Sequence, residues 1–460
     1  MPALRSAESG PRRSARGLSL GYNARMRIAA LALICAPAVA VAEAPRLTLD
    51  QVIARAVASP KARMAAQDSA AAAARVDEAD AARLPRFRAT GFGTASPEVR
   101  CIDINCIETD PQNFAFRFDG VFISGQLEIT QPLYTFGKIK HARAAARAGL
   151  EAQQALADEA VGDLAVDAAR AYWGIKVARE LGYMLDDGID EIDKALAKIN
   201  EDQGGDVTVQ DRQRIAVLLA EAKVQRADAR MAELQALAGL RALVGVADAD
   251  IDNEELAAVD RVVPEAAVSD RRPQTTAARA GATAAHELAE FAQSQYFPDL
   301  ALVGTGVYAK AQGVPDAPGV FANDPFNRMG AALVIGLQWQ LEPWTTKARV
   351  ARARAEADRA KAQAELAAIG ASYDAQMALA EASTSRAKVD AAADGEKAGR
   401  AWLASVLQGE AVGAVEAKDL ADAYLAWFQM RARWAQAVMQ WNVAVIRVDR
   451  AAGKFAAPRK

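Results

Sequence analysis

Residues 121–140 read VFISGQLEITQPLYTFGKIK, and the spacing of apolar residues changes in the middle of this stretch. Apolar and polar residues alternate from Val121 to Ile129, which is the pattern of a strand with one apolar face. The alternation ends around Pro132 and Gly137, and no proline follows between residues 138 and 203. The stretch therefore predicts an amphipathic strand that passes directly into a long helix.

The chain contains a second copy of this organisation. Residues 331–350, AALVIGLQWQLEPWTTKARV, alternate as far as Leu341 before Pro343. Other matched pairs are Leu84-Pro85 with Phe297-Pro298, the tracts 205–211 and 413–419, and Gly245 with Gly453. Because all these separations lie between 208 and 213 positions, we expect a duplicated unit. The predicted divisions are an N-terminal segment 1–42, a first repeat 43–270 and a second repeat 271–460.

The helices predicted in each unit are unusually long. Residues 138–203 form one stretch of 66 residues, about 100 Å at 1.5 Å per residue. A return helix covers 206–245, and 272–297 leads into the next strand, so two shorter helices could stack beside the long one. The acidic segment 246–271 would form an equatorial joint between them. The second unit repeats the plan, with 345–408 leading away and 411–452 returning.

The last helix carries a seam with alternating steps of four and three, which is the pattern of coiled-coil packing. Its members are Leu420, Tyr424, Trp427, Arg431, Trp434, Val438, Trp441, Val445 and Val448. The helices are therefore expected to pack side by side as rods.

The N-terminus has the features of a secretory signal peptide. Arg25 and Arg27 precede an apolar run from Ile28 to Ala42, which ends in an A-x-A sequence. No later segment has the 18 apolar residues that a spanning helix needs. We therefore expect an exported protein that is periplasmic, secreted or built into a β-barrel.

The strands can be interpreted in two ways. Their upstream partners are 86–93 and 299–308, and antiparallel hairpins on a soluble core would show the same alternation. The signal peptide favours a membrane β-barrel wall with an apolar lipid side and a polar lumen side. Four strands cannot close a barrel, so they must be pooled from several chains. An interfacial aromatic girdle is predicted at Tyr134, Phe136, Trp339 and Trp344.

The loops between the strands, 94–117 and 309–327, are rich in Pro, Asp, Asn and Gly and are expected on the outside of the cell. The first loop contains Cys101 and Cys106. Because the compartment is oxidising, we expect these two cysteines to form a local disulfide.

Composition excludes several classes of function. The net charge is −3 with 25% charged residues, so nothing suggests nucleic-acid binding. The two histidines, His141 and His286, are far apart in sequence and neighbour no other candidate ligands. We therefore expect neither a metal site nor a catalytic nucleophile.

Several motifs taken together resemble the TolC-like outer-membrane efflux proteins over essentially the whole mature chain. They are the opening LTLDQVIA at 47–54 with Ser59-Pro60, the Leu84-Pro85 strand entrance, the QPLY at 131–134 followed by Gly137-Lys138, and the two Gly-to-Asp tracts. Each motif is weak alone, but their order and duplication are specific.

The resemblance implies a homotrimer in the outer membrane. Its twelve-strand barrel would continue as a twelve-helix periplasmic tunnel, without catalysis or cofactor. Such a passive duct joins a periplasmic adaptor and an inner-membrane pump, and it serves either efflux or one-step (type I) protein secretion. The sequence does not choose between these uses. A periplasmic coiled-coil scaffold without a pore is the alternative from another class.

The resemblance also suggests functional residues near the hairpin tips. Acidic residues of the family line the narrow periplasmic mouth, and the matching positions here are Asp211, Asp419 and Asp422. Solvated acids near helix N-termini would give the same pattern, since negative charge is favoured there. The glycines at the tips, where an adaptor would bind, are Gly204, Gly205, Gly409 and Gly413.

Overall fold

The computed structural model describes residues 46–97, 118–201, 208–264, 272–312, 314, 324, 326–410 and 417–455. The predicted signal peptide, the Cys101–Cys106 disulfide and the tip glycines Gly204, Gly205 and Gly413 lie outside the described residues.

Seven helices occupy most of the described chain. The long helix predicted after the first strand is 64 residues long, which confirms the prediction to within two residues. The helices are α1 Leu49–Val57, α2 Pro60–Ala81, α3 Lys138–Glu201, α4 Val209–Val244, α5 Pro273–Ser294, α6 Pro343–Glu410 and α7 Ala417–Ala451.

The helix ends show why the elements begin and stop where they do. Proline is the first residue of α2 and of α5, a position where its missing N–H costs nothing. Gly245 closes α4 and Gly453 follows α7, with φ values of 73° and 71°. This left-handed backbone favours glycine at helix ends. Equivalent residues thus end equivalent helices in the two units.

The strands are β1 Arg46–Leu47, β2 Arg86–Pro97, β3 Phe118–Tyr134, β4 Asp250–Ile251, β5 Asp299–Ala311 and β6 Arg328–Gln338. The four long strands form one antiparallel sheet in the order β2-β3-β5-β6. Three predicted strand boundaries were wrong. β2 and β5 continue into the predicted loops, because Ala95 still pairs with Val121 and Ala311 with Phe122.

The other boundary concerns β6, which ends at Gln338 rather than continuing through Leu341. The backbone turns there, because the N–H of Glu342 donates to the carbonyl of Gln340 before Pro343 opens α6. The indole of Trp339 donates to the carbonyl of Tyr296. These local hydrogen bonds replace strand pairing.

The long helix α3 has different neighbours along its two halves. Near the sheet it lies between α2 and α5, as shown by the contacts of Ser69 with the Gln153 carbonyl and of His141 with Glu287. Farther away it packs against α4 and α7, where Arg226 binds Asp186. The predicted stacking of two short helices beside one long helix is confirmed for α5 and α4.

The segment after α4, described as far as residue 264, lies where the sequence predicts a joint between the stacked helices. Its strand β4 pairs in parallel with β1, and the following residues run along α7. The indole of Trp441 donates to the carbonyl of Val259, and Asn442 bonds both Val259 N and Ala257 O. This segment therefore connects β1 to α7.

Six of the nine residues of the predicted α7 seam are buried, with Val438 and Val445 among the core residues, and Trp427, Arg431 and Trp434 are partly buried. Residues on a second face, such as Ala435 and Asn442, are buried as well, because α7 packs on both α6 and α3.

Within the described ranges, no helix combines the length with the low charge that a membrane span requires.

Candidate functional site

One face of the sheet is apolar and exposed. The register places Phe87 opposite Ile129 and Leu333 opposite Gly304, all on the same face. Most other large apolar residues on this face are also exposed, and Leu333 reaches 72%. They include Val121, Ile123, Leu127, Tyr308, Met329, Ile335 and Leu337. Strands of 11 to 17 residues are long enough to cross a bilayer.

The opposite face differs between the two units. In the first hairpin Arg88 lies opposite Glu128 and Thr90 lies opposite Gln126. In the second hairpin Thr305 lies opposite Ala332 and Val303 lies opposite Val334. The predicted polar face is therefore polar on β2 and β3 but mostly small or apolar on β5 and β6.

The four aromatic residues predicted as a girdle are exposed where the sheet meets the helices. Tyr134 and Phe136 have ring centroids 4.7 Å apart. Phe136 also stacks on Phe297 at 5.5 Å, a partner that the sequence analysis did not identify. The crossing turns sharply, since Phe136 and Gly137 have φ values of 48° and 95°. A Phe-Pro pair that enters a strand was the signal that could have identified Phe297.

Two basic residues of α3 close to these aromatic side chains bind neighbouring elements. The Nζ of Lys138 lies 2.9 Å from Oδ1 of Asp299, at the start of β5. Arg143 of α3 binds Asp80 of α2, and this hydrogen bond holds the pKa of Asp80 below its ordinary value. The junction between sheet and helices is thus fixed by charged contacts between neighbouring elements.

At the other end of the helices, Asp211 has a local structural role. Its carboxylate accepts hydrogen bonds from the hydroxyl of Thr208 at 2.6 Å and from the Thr208 N–H at 3.3 Å. The hydroxyl in turn accepts from Asp211 N, which completes a capping box at the start of α4. The hydroxyl hydrogen bond lowers the pKa of Asp211.

Asp419 and Asp422 differ from Asp211. Both are exposed on the first turns of α7, and the described part of the chain offers neither of them a hydrogen-bond or ion-pair partner. The nearby residues Leu420 of α7 and Ile215 of α4 belong to one buried cluster. α4 and α7 therefore begin at the same end of the helix bundle, so all three acids lie near that end. Gly409 lies there too, near the end of α6.

Nothing in the described part of the chain resembles a metal site, since it contains no cluster of three or more potential His, Cys, Asp or Glu ligands. His141 instead bonds Glu287 through Nδ1 at 2.8 Å, between α3 and α5.

Comparison with known proteins gives one family and several similar folds. A family model described as outer membrane efflux protein matches residues 54–246 and 266–454. No curated protein matches the sequence significantly. The fold is similar to the CmeC outer membrane channel of Campylobacter jejuni, at 17% identity and a TM-score of 0.74, over 88% of this chain and 85% of that one.

Two further solved structures have the same fold. One is the MtrE outer membrane channel of Neisseria gonorrhoeae in its open state, at 20% identity and a TM-score of 0.73, with 88% of each chain covered. The other is the outer membrane protein VceC of Vibrio cholerae, at 18% identity and a TM-score of 0.72, over 88% of this chain and 96% of that chain.

Proposed function

The chain belongs to the outer membrane efflux protein family, and on this premise we propose that three copies of it assemble into one pore. It is an outer-membrane efflux channel with a helical extension into the periplasm, and it is not an enzyme. The proposal concerns how a chain with four long strands makes such a channel.

The sheet edges carry this proposal. β2 and β6 are the outer strands, and each pairs on one side only among the described residues. Successive strands of the sheet are antiparallel, so β2 and β6 run in opposite directions. The β6 edge of one copy can therefore pair antiparallel with the β2 edge of the next. Unpaired edges cannot persist in lipid, because their N–H and C=O groups would lack partners.

The room that a channel needs supports three copies rather than two. Two copies would give eight strands, and an interior of that size is filled by side chains. Three copies would give twelve strands and leave room for a channel. The apolar face with Leu333 and Ile335 would then face lipid, and the face with Arg88 and Glu128 would line the lumen.

The periplasmic end supports a second part of the proposal, namely that a periplasmic adaptor and an inner-membrane pump engage the helix tips. Val209 and Val217 lie on the first turns of α4 and are largely exposed. Together with Gln213 they line an open groove. Exposed apolar side chains at the far end of a periplasmic helix are suited to bind a partner helix.

Asp419 and Asp422 have the exposure that a pore constriction needs. In a trimer the three acids Asp211, Asp419 and Asp422 would supply nine carboxylates around one opening. Like charges within a Debye length of about 8 Å would attract cations to the opening. Asp211 would contribute less, because its carboxylate is already bound by Thr208.

The mass of the complex in mild detergent tests the proposal. Native mass spectrometry of protein extracted from outer membranes should give a single species of three chains, which separates into single chains after unfolding. Single chains, or pairs of chains, as the only folded species would contradict the trimer.

A further inference from the structure

A pocket of about 410 Å³ lies where α7 ends and α5 begins. α3 and α6 contribute side chains to it, such as Arg170 of α3 and Met377 of α6, and Lys61 of α2 lines it as well. Arg272, the residue just before α5, and Arg450, near the end of α7, complete its lining. The pocket therefore brings together five parts of one chain.

Arg272 is a buried charge in this pocket, with 1% of its side chain exposed. Its Nη1 lies 3.0 Å from Oδ2 of Asp374, and its Nη2 lies 3.7 Å from Oε1 of Glu159. These distances suit ion pairs, but neither Nε nor Nη1 makes a hydrogen bond. A buried donor without an acceptor costs free energy. Arg272 therefore has donor capacity that the described residues do not use.

Two further basic residues of the pocket also have unused donors. Arg450 donates to Oε1 of Glu159 through Nη2 at 2.6 Å, but its Nε has no hydrogen-bond partner. Lys61 is exposed and makes no ion pair with any described residue. Three cations in one pocket can thus donate hydrogen bonds to a ligand.

The acidic side chains that line the pocket already have basic partners. The pairs are Asp163–Arg450, Asp167–Arg170, Asp374–Arg272 and Glu381–Arg447. With Glu159 included, acidic and basic side chains are equal in number, so net charge alone does not attract an anion. The unused groups, however, are donors. A complementary ligand must supply acceptors, and carboxylate and phosphate groups match the planar guanidinium best.

The pocket opens on a defined side of α7. Helix residues two positions apart point to nearly opposite sides, because each residue turns by about 100°. Asp449 accepts a hydrogen bond from Arg261 of the segment after α4, whereas Arg447 lines the pocket. The side of α7 that carries this segment must lie outside a hollow pore, since the segment would otherwise obstruct it. The pocket, on the other side, then faces the tunnel.

We propose that this pocket binds a small molecule through its carboxylate or phosphate group, with Arg272 and Lys61 as the principal donors. The volume of the pocket is in the range that binds small organic molecules. Its place in the tunnel wall rests on the pore proposed above, but the residues that form it belong to a single chain. An anionic substrate that moves through the pore would therefore meet a specific site in the wall.

Isothermal titration calorimetry of the purified protein in mild detergent tests this site. Phosphate and citrate are the two probes, and sodium chloride keeps the ionic strength constant. The wild type should bind at least one probe, at one site per chain. Lys61→Gln should weaken binding about tenfold, because it removes one charge-assisted hydrogen bond. Arg272→Lys keeps the buried charge without the planar guanidinium and should also weaken binding.

The matched control is Lys388→Gln, which removes the same charge from an exposed position of α6 outside this pocket. It should bind the probes like the wild type. Tighter binding of citrate than of phosphate would identify an organic anion as the ligand, and the reverse would identify an inorganic one. No binding of either probe, or equal weakening by Lys61→Gln and Lys388→Gln, would overturn the site.

Failure of the site is distinguishable from failure of the trimer. If native mass spectrometry shows three chains and neither probe binds, the pocket is not an anion site and the trimer stands. If the protein is a single chain that binds a probe, the trimer is wrong, and the pocket remains an anion site without a tunnel.

Discussion

Lys176 is a charged residue in the core of the joint between the stacked helices. Its side chain is 4% exposed, and its Nζ donates to Oδ1 of Asp252 at 2.8 Å and to the carbonyl of Glu254 at 2.9 Å. Tyr172 donates a further hydrogen bond to Asp252 at 2.6 Å. Burial alone would raise the pKa of Asp252, but the hydrogen bonds from Lys176 and Tyr172 hold it below its ordinary value.

Asp252→Asn should therefore destabilise the protein, because it leaves the buried Lys176 charge without its anionic partner. Breaking a buried pair in this way costs about 3–5 kcal/mol. A lowered folded-state pKa contributes stability above the unfolded value of about 3.9, and this contribution is lost as pH falls through the folded pKa. Thermal unfolding should thus separate variant and wild type at pH 7, with a difference that shrinks below about pH 4.

The matched control for this change is Glu255→Gln, an exposed acid of the same segment. It should unfold like the wild type at every pH. If Asp252→Asn unfolds like the control at pH 7, the buried pair does not stabilise the joint.

The residue-level features differ in how far the sequence could predict them. The family resemblance points to Asp211, Asp419 and Asp422 as candidates, but only the structure shows that Thr208 binds the first of them. The Lys176–Asp252 pair joins residues 76 positions apart on a helix and an irregular segment. No periodic pattern connects such residues, so the sequence gives no sign of the pair.

The strands are the elements whose two faces can be tested separately. Leu333 and Ala332 are neighbours near the middle of β6 and point to opposite faces. Leu333→Arg places a charge on the face proposed to contact lipid, at a cost of about 2–4 kcal/mol near the bilayer centre. It should lower the amount of assembled protein in the outer membrane and its resistance to urea.

Ala332→Arg is the matched control, because its side chain would enter the water-filled lumen. It should assemble normally and alter only the conductance. Equal losses of assembled protein for the two variants would contradict the assignment of the faces.

At the level of elements, periodicity predicted most of the fold. The alternation from Val121 to Ile129 and the long stretch without proline after Gly137 identified β3 and α3. The outer ends of β2 and β5 were missed because residues such as Thr94 and Ala309 carry no clear alternation. Pairing with a neighbouring strand determines these ends, and local sequence does not record it.

At the scale of the whole molecule, the long helices continue a sheet whose outer strands β2 and β6 each pair on one side only among the described residues. The sequence predicted that strands must be pooled, because four cannot close a barrel. The structure adds the strand order β2-β3-β5-β6. The helices that adjoin these strands follow the same order, α2, α3, α5 and α6, and this arrangement leaves β2 and β6 as the edges at which copies could join. This order depends on contacts between residues that are distant in sequence. Amino-acid composition and the periodicity of apolar residues therefore could not predict it.

Single-channel recording of the purified complex in a planar bilayer tests most directly the claim that pooled strands and helices form one continuous pore. Discrete conductance steps with a preference for cations are predicted. Asp419→Ala combined with Asp422→Ala should reduce that preference and the block by multivalent cations from the periplasmic side, while the trimer still forms, since solvated acids carry little packing energy. A folded trimer that conducts no ions would contradict the account.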